Sequence, residues 1–458
     1  MTEISSHLMN PMNVFPLGGS VKRKIAVAAA LAATLLGAAA CGNSSSKDST
    51  SANGSVDGKG KTVKVWLMVD AQTGWKAVVD DASKRFTAAT GAQVDVEYQQ
   101  WPNHLTKLDA TLAGNAVPDV VELGNTEFAK YVATGAFAEL NKGDFENSST
   151  WLTGLDGACE LQGKTYCVPY YAGARVLIYR TDLFKKAGIT APPATYDEFL
   201  ADAQKLQDSN KSDSKFSAFY SEGKYWYSAM SWVYKDKGQI ATQDGSGKWT
   251  ATLEQPEAIQ GLTEWTDLLK KYSKADKTAD ETNQAAEFGQ GGEGGMFLGN
   301  TWEQGSAEQV KKDPNDPNSK LIDTKVKGKL ATAPMPEVPS FLGGSNLGVT
   351  SKSSNKALAA QWIKYFTDST SMDGLIKANA LPNSTALLDK AASENPSLTA
   401  AAAAAKQTWF VPNSAKWADV EKANILPLML VDILTGKKSV ADAAKDADQK
   451  IDATLNAS

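Results

Sequence analysis

Histidine is nearly missing from this sequence, whose 458 residues include only His7 and His104. A metal site built from several histidines is therefore excluded, and a His-based catalytic triad would have to use one of these two. Cysteine is also rare, with three residues, so the ligands for a zinc site are lacking. The motifs G-x-S-x-G, H-E-x-x-H and the P-loop are absent. We therefore expect no catalytic residue, no cofactor and no metal.

Neither charge nor composition points to nucleic acid. Lys and Arg number 47 against 52 Asp and Glu, a net charge of −5, whereas phosphate binding needs a basic face. A hydrophobic content of 42% is too high for a disordered chain and predicts two or three folded domains. The 12 Trp and 13 Tyr residues favour a protein that binds by stacking rather than through imidazole chemistry.

Long apolar runs are also scarce, and the one that stands out is at the N-terminus. Lys-Arg-Lys at 22–24 precedes an apolar stretch from Ile25 to Ala40, which is typical of a signal peptide and short for a membrane span. The small residues before Cys41 resemble a bacterial lipobox, in which the cysteine is lipidated; ordinary cleavage beside a chance cysteine is the alternative. We predict a signal peptide over 1–40, a flexible tether over 41–61 and a lipid anchor at the extracellular face of the cell membrane.

The other two cysteines flank a short turn. Cys159 and Cys167 enclose ELQGKTY, whose Gly-Lys pair predicts a hairpin. Two cysteines that flank a hairpin in an exported protein are expected to form a disulfide.

The first folded stretch alternates strands with helices. Strands are predicted over 62–69, 92–101 and 118–125, and helices over 75–91, 102–115 and 126–136. This alternation predicts a mostly parallel sheet with helices on both faces. Ligands of such sheets bind at the carboxyl ends of the strands.

A second α/β unit follows residue 180. Helices are predicted over 181–188, 195–209 and 257–272, and Thr195 with Glu198 forms a capping-box pattern. GGMFLGNTW (294–302) is predicted to be a strand with a polar and aromatic tip. Residues 329–353 are predicted to be extended, and most of the chain beyond 355 is predicted to be helical, with a break at Leu381-Pro382.

Three segments resemble the sugar-binding family of extracellular solute-binding proteins of ABC importers, which includes maltose-binding protein. They are QQW with PDVVELGN, the stretch YCVPYYAGARVLIYRTDLFKKAG, and GGMFLGNTW with the later FLGGSNLGV. The resemblance implies a periplasmic-binding-protein-like type II fold, α/β in class, with two lobes around a hinge and a ligand cleft. Lobe one would take 62–170 plus 345–390, and lobe two 171–344 plus 391–458.

The resemblance also implies a ligand site. Aromatic rings would stack on the C–H faces of a sugar, while planar polar groups bind its hydroxyls. The residues implied in lobe one and near the hinge are Asp70, Gln72, Trp101, Asn125, Thr126, Glu127, Tyr171, Arg175, Ser345 and Asn346. Those implied in lobe two are Glu222, Tyr225, Trp226, Trp302 and Trp417.

Other roles remain open for part of this set. Asn125, Thr126 and Glu127 also suit a helix cap, and Arg175 could pair with a structural carboxylate instead of a ligand hydroxyl. We expect Trp66, Trp265 and Trp362 to belong to the core because they follow strand or helix patterns.

The predicted function is capture of a di- or short oligosaccharide for an ABC permease in the membrane, by a monomer that binds no nucleic acid. QQW and ELGNTE resemble actinobacterial proteins that bind chitobiose-type or other β-linked disaccharides; maltose-type sugars, cellobiose and trehalose stay open. The alternatives are a solute-binding protein for a polyamine, metal or metabolite, a secreted glycoside hydrolase, and a surface adhesin.

Overall fold

A computed structural model of the protein describes residues 56–101, 103–313 and 319–457. The predicted signal peptide, the lipidation residue Cys41 and most of the tether lie outside these ranges. No helix within them is long and apolar enough to cross a membrane.

The described ranges contain fifteen strands. They are β1 (Thr62–Met68), β2 (Gln93–Gln99), β3 (Val120–Gly124), β4 (Glu160–Leu161), β5 (Lys164–Thr165), β6 (Val168–Arg180), β7 (Ser217–Tyr220), β8 (Ala241–Gln243), β9 (Trp249–Ala251), β10 (Gly294–Asn300), β11 (Gln309–Lys311), β12 (Leu321–Asp323), β13 (Leu330–Ala333), β14 (Ser340–Val349) and β15 (Thr408–Trp409).

Eighteen α-helices occur in the same ranges. They are α1 (Val69–Gly74), α2 (Lys76–Thr90), α3 (His104–Ala113), α4 (Phe128–Ala133), α5 (Thr153–Cys159), α6 (Thr181–Lys186), α7 (Tyr196–Ser209), α8 (Trp226–Lys235), α9 (Pro256–Tyr272), α10 (Gln284–Gly291), α11 (Thr301–Glu308), α12 (Lys356–Phe366), α13 (Ser369–Lys377), α14 (Leu388–Glu394), α15 (Thr399–Ala404), α16 (Trp417–Lys422), α17 (Ile425–Leu434) and α18 (Val440–Leu455). Short 3-10 turns cover Lys142–Asp144, Ser148–Thr150, Glu281–Asn283, Thr385–Leu387 and Pro396–Leu398.

One sheet runs through the molecule in the order β2-β1-β3-β14-β6-β10-β7, with β13 on β6 and β15 on β14. Pairing is parallel among β1, β2 and β3 and between β10 and β7, but antiparallel wherever β6 or β14 meets another of these central strands. The parallel pairing predicted from the alternation in the first folded stretch is confirmed for β1, β2 and β3. The crossing strands β6 and β14 lie outside that stretch and run against their neighbours.

Two strands join the halves of the sheet. The first part of β6 pairs with β14, which pairs in turn with β3; the second part of β6 pairs with β10 and β13. We call the strands β1, β2 and β3 the β1 half and the strands β7, β10 and β13 the β10 half. The sheet is thus continuous through β6 and β14 alone, and each half is free to carry its own helices.

Separate apolar cores support the two halves. In the β1 half, α2 and α12 pack against each other, with Phe86 and Trp362 fully buried. In the β10 half, α8, α9, α17 and α18 enclose a second core around Trp232 and Trp265. Burial of such large aromatic side chains contributes strongly to the folding stability of each half.

Several local patterns take the predicted form. Helix α2 ends at Gly91, which adopts a left-handed φ of 76°, as glycine after a helix commonly does. Thr195 caps α7 by accepting a hydrogen bond from the Glu198 amide at 3.2 Å. Strands β4 and β5 form the predicted hairpin, although the turn residues are Gln162 and Gly163. The structure joins Cys159 to Cys167 by a disulfide.

Two segments next to the cleft are helical where the sequence analysis predicted no helix. Residues 69–74 after β1 form the short helix α1, and β10 ends at Asn300, so that Thr301 and Trp302 begin α11. The reason at α11 is a local cap: Glu303 Oε1 accepts hydrogen bonds from the Asn300 amide and side-chain nitrogens, at 2.8 and 3.0 Å.

Candidate functional site

A cleft of about 560 Å³ lies where the two halves of the sheet face each other. The β1 half supplies the ends of β1 and β3, the β10 half supplies α8, α10, α11 and α16, and β6 and β14 form the floor. Nine of the residues named from the sequence line it: Asp70, Trp101, Asn125, Thr126, Glu127, Tyr171, Arg175, Tyr225 and Trp302.

The other six named residues do not reach the cleft wall in the structure. Gln72, on α1, is exposed and is not among the residues that line the cleft. Glu222, Trp226, Ser345, Asn346 and Trp417 are at most 7% exposed. The structure therefore does not place these six side chains in the cleft lining, and a role for them in ligand binding stays a prediction.

Packing explains why the two tryptophans of this group are withdrawn. The Trp417 ring packs at a tilt against Trp226, with the ring centres 6.0 Å apart, and its indole nitrogen donates to Glu421 Oε1 at 2.8 Å. Trp226 also contacts Phe341 and Trp409. Both rings thus belong to the core that supports the cleft rather than to its surface.

Asn125 lines the cleft but has a structural task. Its Nδ2 donates to the carbonyls of Gly154 and Leu342, at 3.1 and 2.9 Å. These bonds tie the end of β3 to α5 and to β14. The alternative of a helix cap is not what the structure shows for this side chain, since α4 begins only at Phe128.

The sole histidine after Cys41 positions one of the cleft carboxylates. His104 Nε2 lies 3.0 Å from Glu127 Oε2, and that same oxygen accepts a hydrogen bond from the Gly124 amide at 3.0 Å. Burial opposes the charged imidazole, but the hydrogen bond and charge of Glu127 prevail and raise the pKa of His104. His104 therefore holds Glu127 against the end of β3.

Arg175 is bound by aromatic rings rather than by a structural carboxylate. Its guanidinium carbon lies 4.6 Å from the ring centre of Tyr227 and 4.7 Å from that of Phe341. Nε lies 3.4 Å from the hydroxyl of Tyr225. Ring faces attract a cation but leave the planar N–H donors free to bind a ligand.

Carboxylates outnumber cations along the described cleft lining. Asp70, Glu127, Glu281, Glu303 and Glu421 are present with Arg175. Burial raises the pKa of Glu281 to about 7 and that of Glu421 to about 8, and it also raises the pKa of Glu303. At neutral pH part of this set is protonated, so the cleft offers both donors and acceptors to a ligand.

Sequence reasoning missed Tyr227, Glu281, Glu303, Phe341 and Glu421. The pattern Asn300-x-x-Glu303 is a capping signal that could have placed Glu303 beside the end of β10. The other four carry no signal in the sequence, because only the packing of separate helices and β14 turns them toward Arg175 or Thr126.

The cleft is crossed by contacts between its walls. The Thr126 hydroxyl lies 3.4 Å from Glu421 Oε2, and Lys130 Nζ lies 3.7 Å from Asp419 Oδ1. Helix α4 of one wall thereby meets α16 of the other. No cluster of three or more His, Cys, Asp or Glu side chains that could hold a metal occurs in the ranges that the structure describes.

A buried carboxyl on β3 gives the protein a predictable pH dependence. Glu122 is 2% exposed, and burial raises its pKa to about 8. A carboxyl with a higher pKa in the folded than in the unfolded chain adds stability at low pH, which is lost as the pH rises through the folded value. We expect the melting temperature to fall from about pH 5 to about pH 8.5, and Glu122→Gln to reduce that fall.

Calorimetric melting at both pH values tests this expectation. Glu257→Gln, on the exposed first turn of α9, is the control and should leave the fall unchanged. An equally steep fall in Glu122→Gln and in the unmodified protein would contradict the assignment.

The comparisons with known proteins agree with this architecture. The model for bacterial extracellular solute-binding proteins matches residues 81–404. The chain belongs to this family. The chain is 32% identical to the diacetylchitobiose binding protein DasA of Streptomyces coelicolor. The match extends over 442 residues and covers 95% of this chain and 99% of DasA.

Solved structures show the same fold at lower identity. The GacH receptor of Streptomyces glaucescens, solved unliganded and with acarbose, matches with a TM-score of 0.70 and 20% identity over 87% of this chain and 99% of that chain. The sugar-binding protein MalE of Xanthomonas citri matches with a TM-score of 0.71 and 18% identity over 86% and 97%. The periplasmic-binding-protein-like type II fold predicted from the sequence is thus confirmed.

Proposed function

We propose that this solute-binding protein captures a di- or short oligosaccharide in its cleft and delivers it to the permease of an ABC importer. The observation that carries the proposal is the combination of Trp302 and Trp101 with Arg175 and five carboxylates around one cleft. Indole faces suit the C–H faces of sugar rings, and the charged groups suit hydroxyls. No step of this function calls for catalysis.

The full-length similarity to DasA supports a chitobiose-type ligand as the first candidate. Asp70 accepts a hydrogen bond from the Trp101 indole nitrogen, which fixes that ring beside the carboxylate. A fixed ring next to a fixed acceptor is an arrangement that can hold one sugar face and one hydroxyl together.

The two lobes of the proposal follow the sequence-based boundaries, 62–170 plus 345–390 and 171–344 plus 391–458. Support comes from β6 and β14, which pair with each other and so link the halves, because β14 pairs with β3 and β6 pairs with β10. Closure would then bend these two strands, as in hinge motions of ligand-binding proteins. The contact between Thr126 and Glu421, present in this structure, would break as the cleft opens.

Export and anchoring complete the proposal. The predicted signal peptide over 1–40 and the predicted lipobox at Cys41 support attachment by lipid to the extracellular face of the membrane, where the protein would act as a monomer next to its permease. Oxidation of Cys159 and Cys167 suits that compartment.

A polyamine is the second candidate ligand. The specific observation in its favour is the ratio of five carboxylates to one arginine along the described lining, because a polyamine would neutralise these charges. Trp302 and Trp101 could then contact its methylene groups.

The proposal is tested by calorimetric titration of the purified protein with monosaccharides, chitobiose, maltose, cellobiose, trehalose and spermidine. We expect one disaccharide to bind with a dissociation constant in the micromolar range or tighter, with a change in Trp fluorescence. Binding of spermidine alone would select the second candidate, and silence with every sugar would reject carbohydrate capture.

A further inference from the structure

One imidazole lies behind two residues of the cleft wall. His104 begins helix α3, and its side chain is 11% exposed. Its Nδ1 lies 2.6 Å from the Trp101 carbonyl oxygen, and its Nε2 lies 3.0 Å from Glu127 Oε2. Trp101 and Glu127 line the cleft, but His104 is not part of that lining. A change at this ring therefore reaches a ligand only through its two neighbours.

Both neighbours of the ring are acceptors. A backbone carbonyl has no proton to donate, and Glu127 Oε2 already accepts a hydrogen bond from the Gly124 amide at 3.0 Å, as an ionised carboxylate does. A neutral imidazole carries one N–H and one lone pair, so it can bind one of the two oxygens while its lone pair repels the other. The imidazolium donates to both oxygens. The arrangement around His104 is thus that of the protonated ring.

The charges that face His104 agree with this state. Burial lowers the pKa of His104, but the hydrogen bonds to Glu127 and to the Trp101 carbonyl, together with the charges of Glu127 and Glu122, raise it above its usual value. Glu127 reaches the ring from the residue before α4, and Glu122 belongs to β3. Each of these two segments thus presents an acidic group to the imidazole.

Other charged side chains on and beside α3 are bound elsewhere. Lys107 Nζ lies 2.7 Å from Glu97 Oε1 and 2.7 Å from Gln99 Oε1, both on β2. The Tyr131 hydroxyl of α4 donates to Asp109 Oδ1 at 2.8 Å. These groups are therefore engaged away from the imidazole.

Loss of the ring proton would act on the cleft at one of two points. The Trp101 carbonyl accepts hydrogen bonds from the backbone amide of His104 and from its ring, so the turn that carries the indole closes on this histidine. The indole nitrogen itself donates to Asp70. Glu127, on the other side, depends on the ring for one of the donors to Oε2. A neutral ring keeps one of its two bonds, so either the Trp101 turn or Glu127 is released.

We propose that His104 is a positioning residue for ligand capture, which as the imidazolium holds Trp101 and Glu127 in the arrangement that binds the ligand. The inference rests on the proposed function and adds its regulation by pH. Affinity for the sugar falls as the pH rises and the ring loses its proton, so capture is strongest in a mildly acidic medium. By linkage, a bound sugar raises the pKa of His104.

Titration at two pH values tests the inference. Chitobiose and maltose are titrated calorimetrically into the full chain at about pH 6 and about pH 9. For the sugar that binds, His104→Gln should bind about fivefold more weakly than the unmodified protein at about pH 6, and within about twofold of it at about pH 9, where the unmodified ring has also lost its proton.

Other groups also titrate in this range, so the comparison between the two proteins carries the result. The pKa values of Glu122 and Glu421 are about 8, and that of Glu281 is about 7. Their effects are common to the unmodified protein and to His104→Gln. Lys107→Gln removes a cation from the same helix and is the matched control, which should keep the pH profile of the unmodified protein.

Proton NMR reads the ring directly and uses a chain in which His104 is intact. The sequence contains two histidines, so His7→Gln without a polyhistidine tag leaves the imidazole signals of His104 alone. We expect their titration midpoint to lie above about 6.5, the usual value for histidine, and to rise when the sugar is added. Glu127→Gln, added to this chain, should lower the midpoint because it removes the facing charge.

The outcomes separate the inference from the function on which it rests. An equal loss of affinity in His104→Gln at both pH values would show a merely structural role and overturn the inference, as would a midpoint that the bound sugar does not raise. Either result would leave sugar capture intact. Failure of both sugars to bind at either pH would overturn the carbohydrate function and the inference with it.

Discussion

Replacing Trp302 with alanine is expected to weaken sugar binding by about 100-fold, because a ring that covers a sugar face contributes about 2–3 kcal/mol of apolar burial. The ring lines both the cleft and an adjoining hollow of about 520 Å³. Its removal takes contacts from both spaces at once. Calorimetric titration with the bound sugar measures the loss.

Because Trp302 is exposed, a loss of affinity in Trp302→Ala can be separated from a loss of stability. With 46% of the side chain exposed, Trp302→Ala should leave the melting temperature nearly unchanged. Trp302→Phe keeps a ring and should recover most of the affinity. Leu428→Ala, at another exposed apolar residue, controls for loss of apolar surface. An affinity within about threefold of the unmodified protein would show that Trp302 does not stack on the ligand.

The second large effect is on folding, at Gly344 in β14. Its φ of 133° is strained for any residue with a side chain, and a Cβ there would lie 2.2 Å from the Tyr171 carbonyl oxygen and 2.9 Å from the Ala172 Cα. These are backbone atoms of β6, which cannot rotate away. Gly344→Ala is therefore expected to lower the free energy of unfolding by about 3 kcal/mol or more.

Gly157→Ala is the matched control. Gly157 lies in helix α5, and a Cβ there would meet no atom within 4 Å, so alanine should be neutral or add up to about 1 kcal/mol. Urea unfolding of both variants measures the difference. Equal stability of the two variants would show that β6 and β14 are less tightly apposed than the structure has them.

Local patterns gave most of the secondary structure correctly. Three features depend only on neighbours within a few residues. They are the end of helix α2 at Gly91, the Thr195 cap of helix α7 and the turn between the two cysteines. Such short-range rules operate before the chain is folded. The antiparallel crossing of β6 and β14 depends on residues more than 150 positions apart, and no local pattern contains it.

In the candidate site, too, packing between distant segments rather than the local sequence decides where single side chains lie. Trp302 and Trp417 both follow polar segments in the sequence, yet one is 46% exposed in the cleft and the other is fully buried. Trp417 is covered because Trp226, from a distant helix, packs against it. Tyr227 and Phe341 meet around Arg175, although 114 residues and several elements of structure separate them in the chain.

The sequence by itself determined the order of strands and helices, the family resemblance, the residues at the ends of β1 and β3, and the expectation that an arginine in an apolar strand needs partners. Only the tertiary structure decided which aromatic rings face the cleft, and that rings and not a carboxylate surround Arg175. The physical reason is that helix and turn formation is governed by nearby residues, whereas the exposure of a side chain is set by whatever distant segment packs against it.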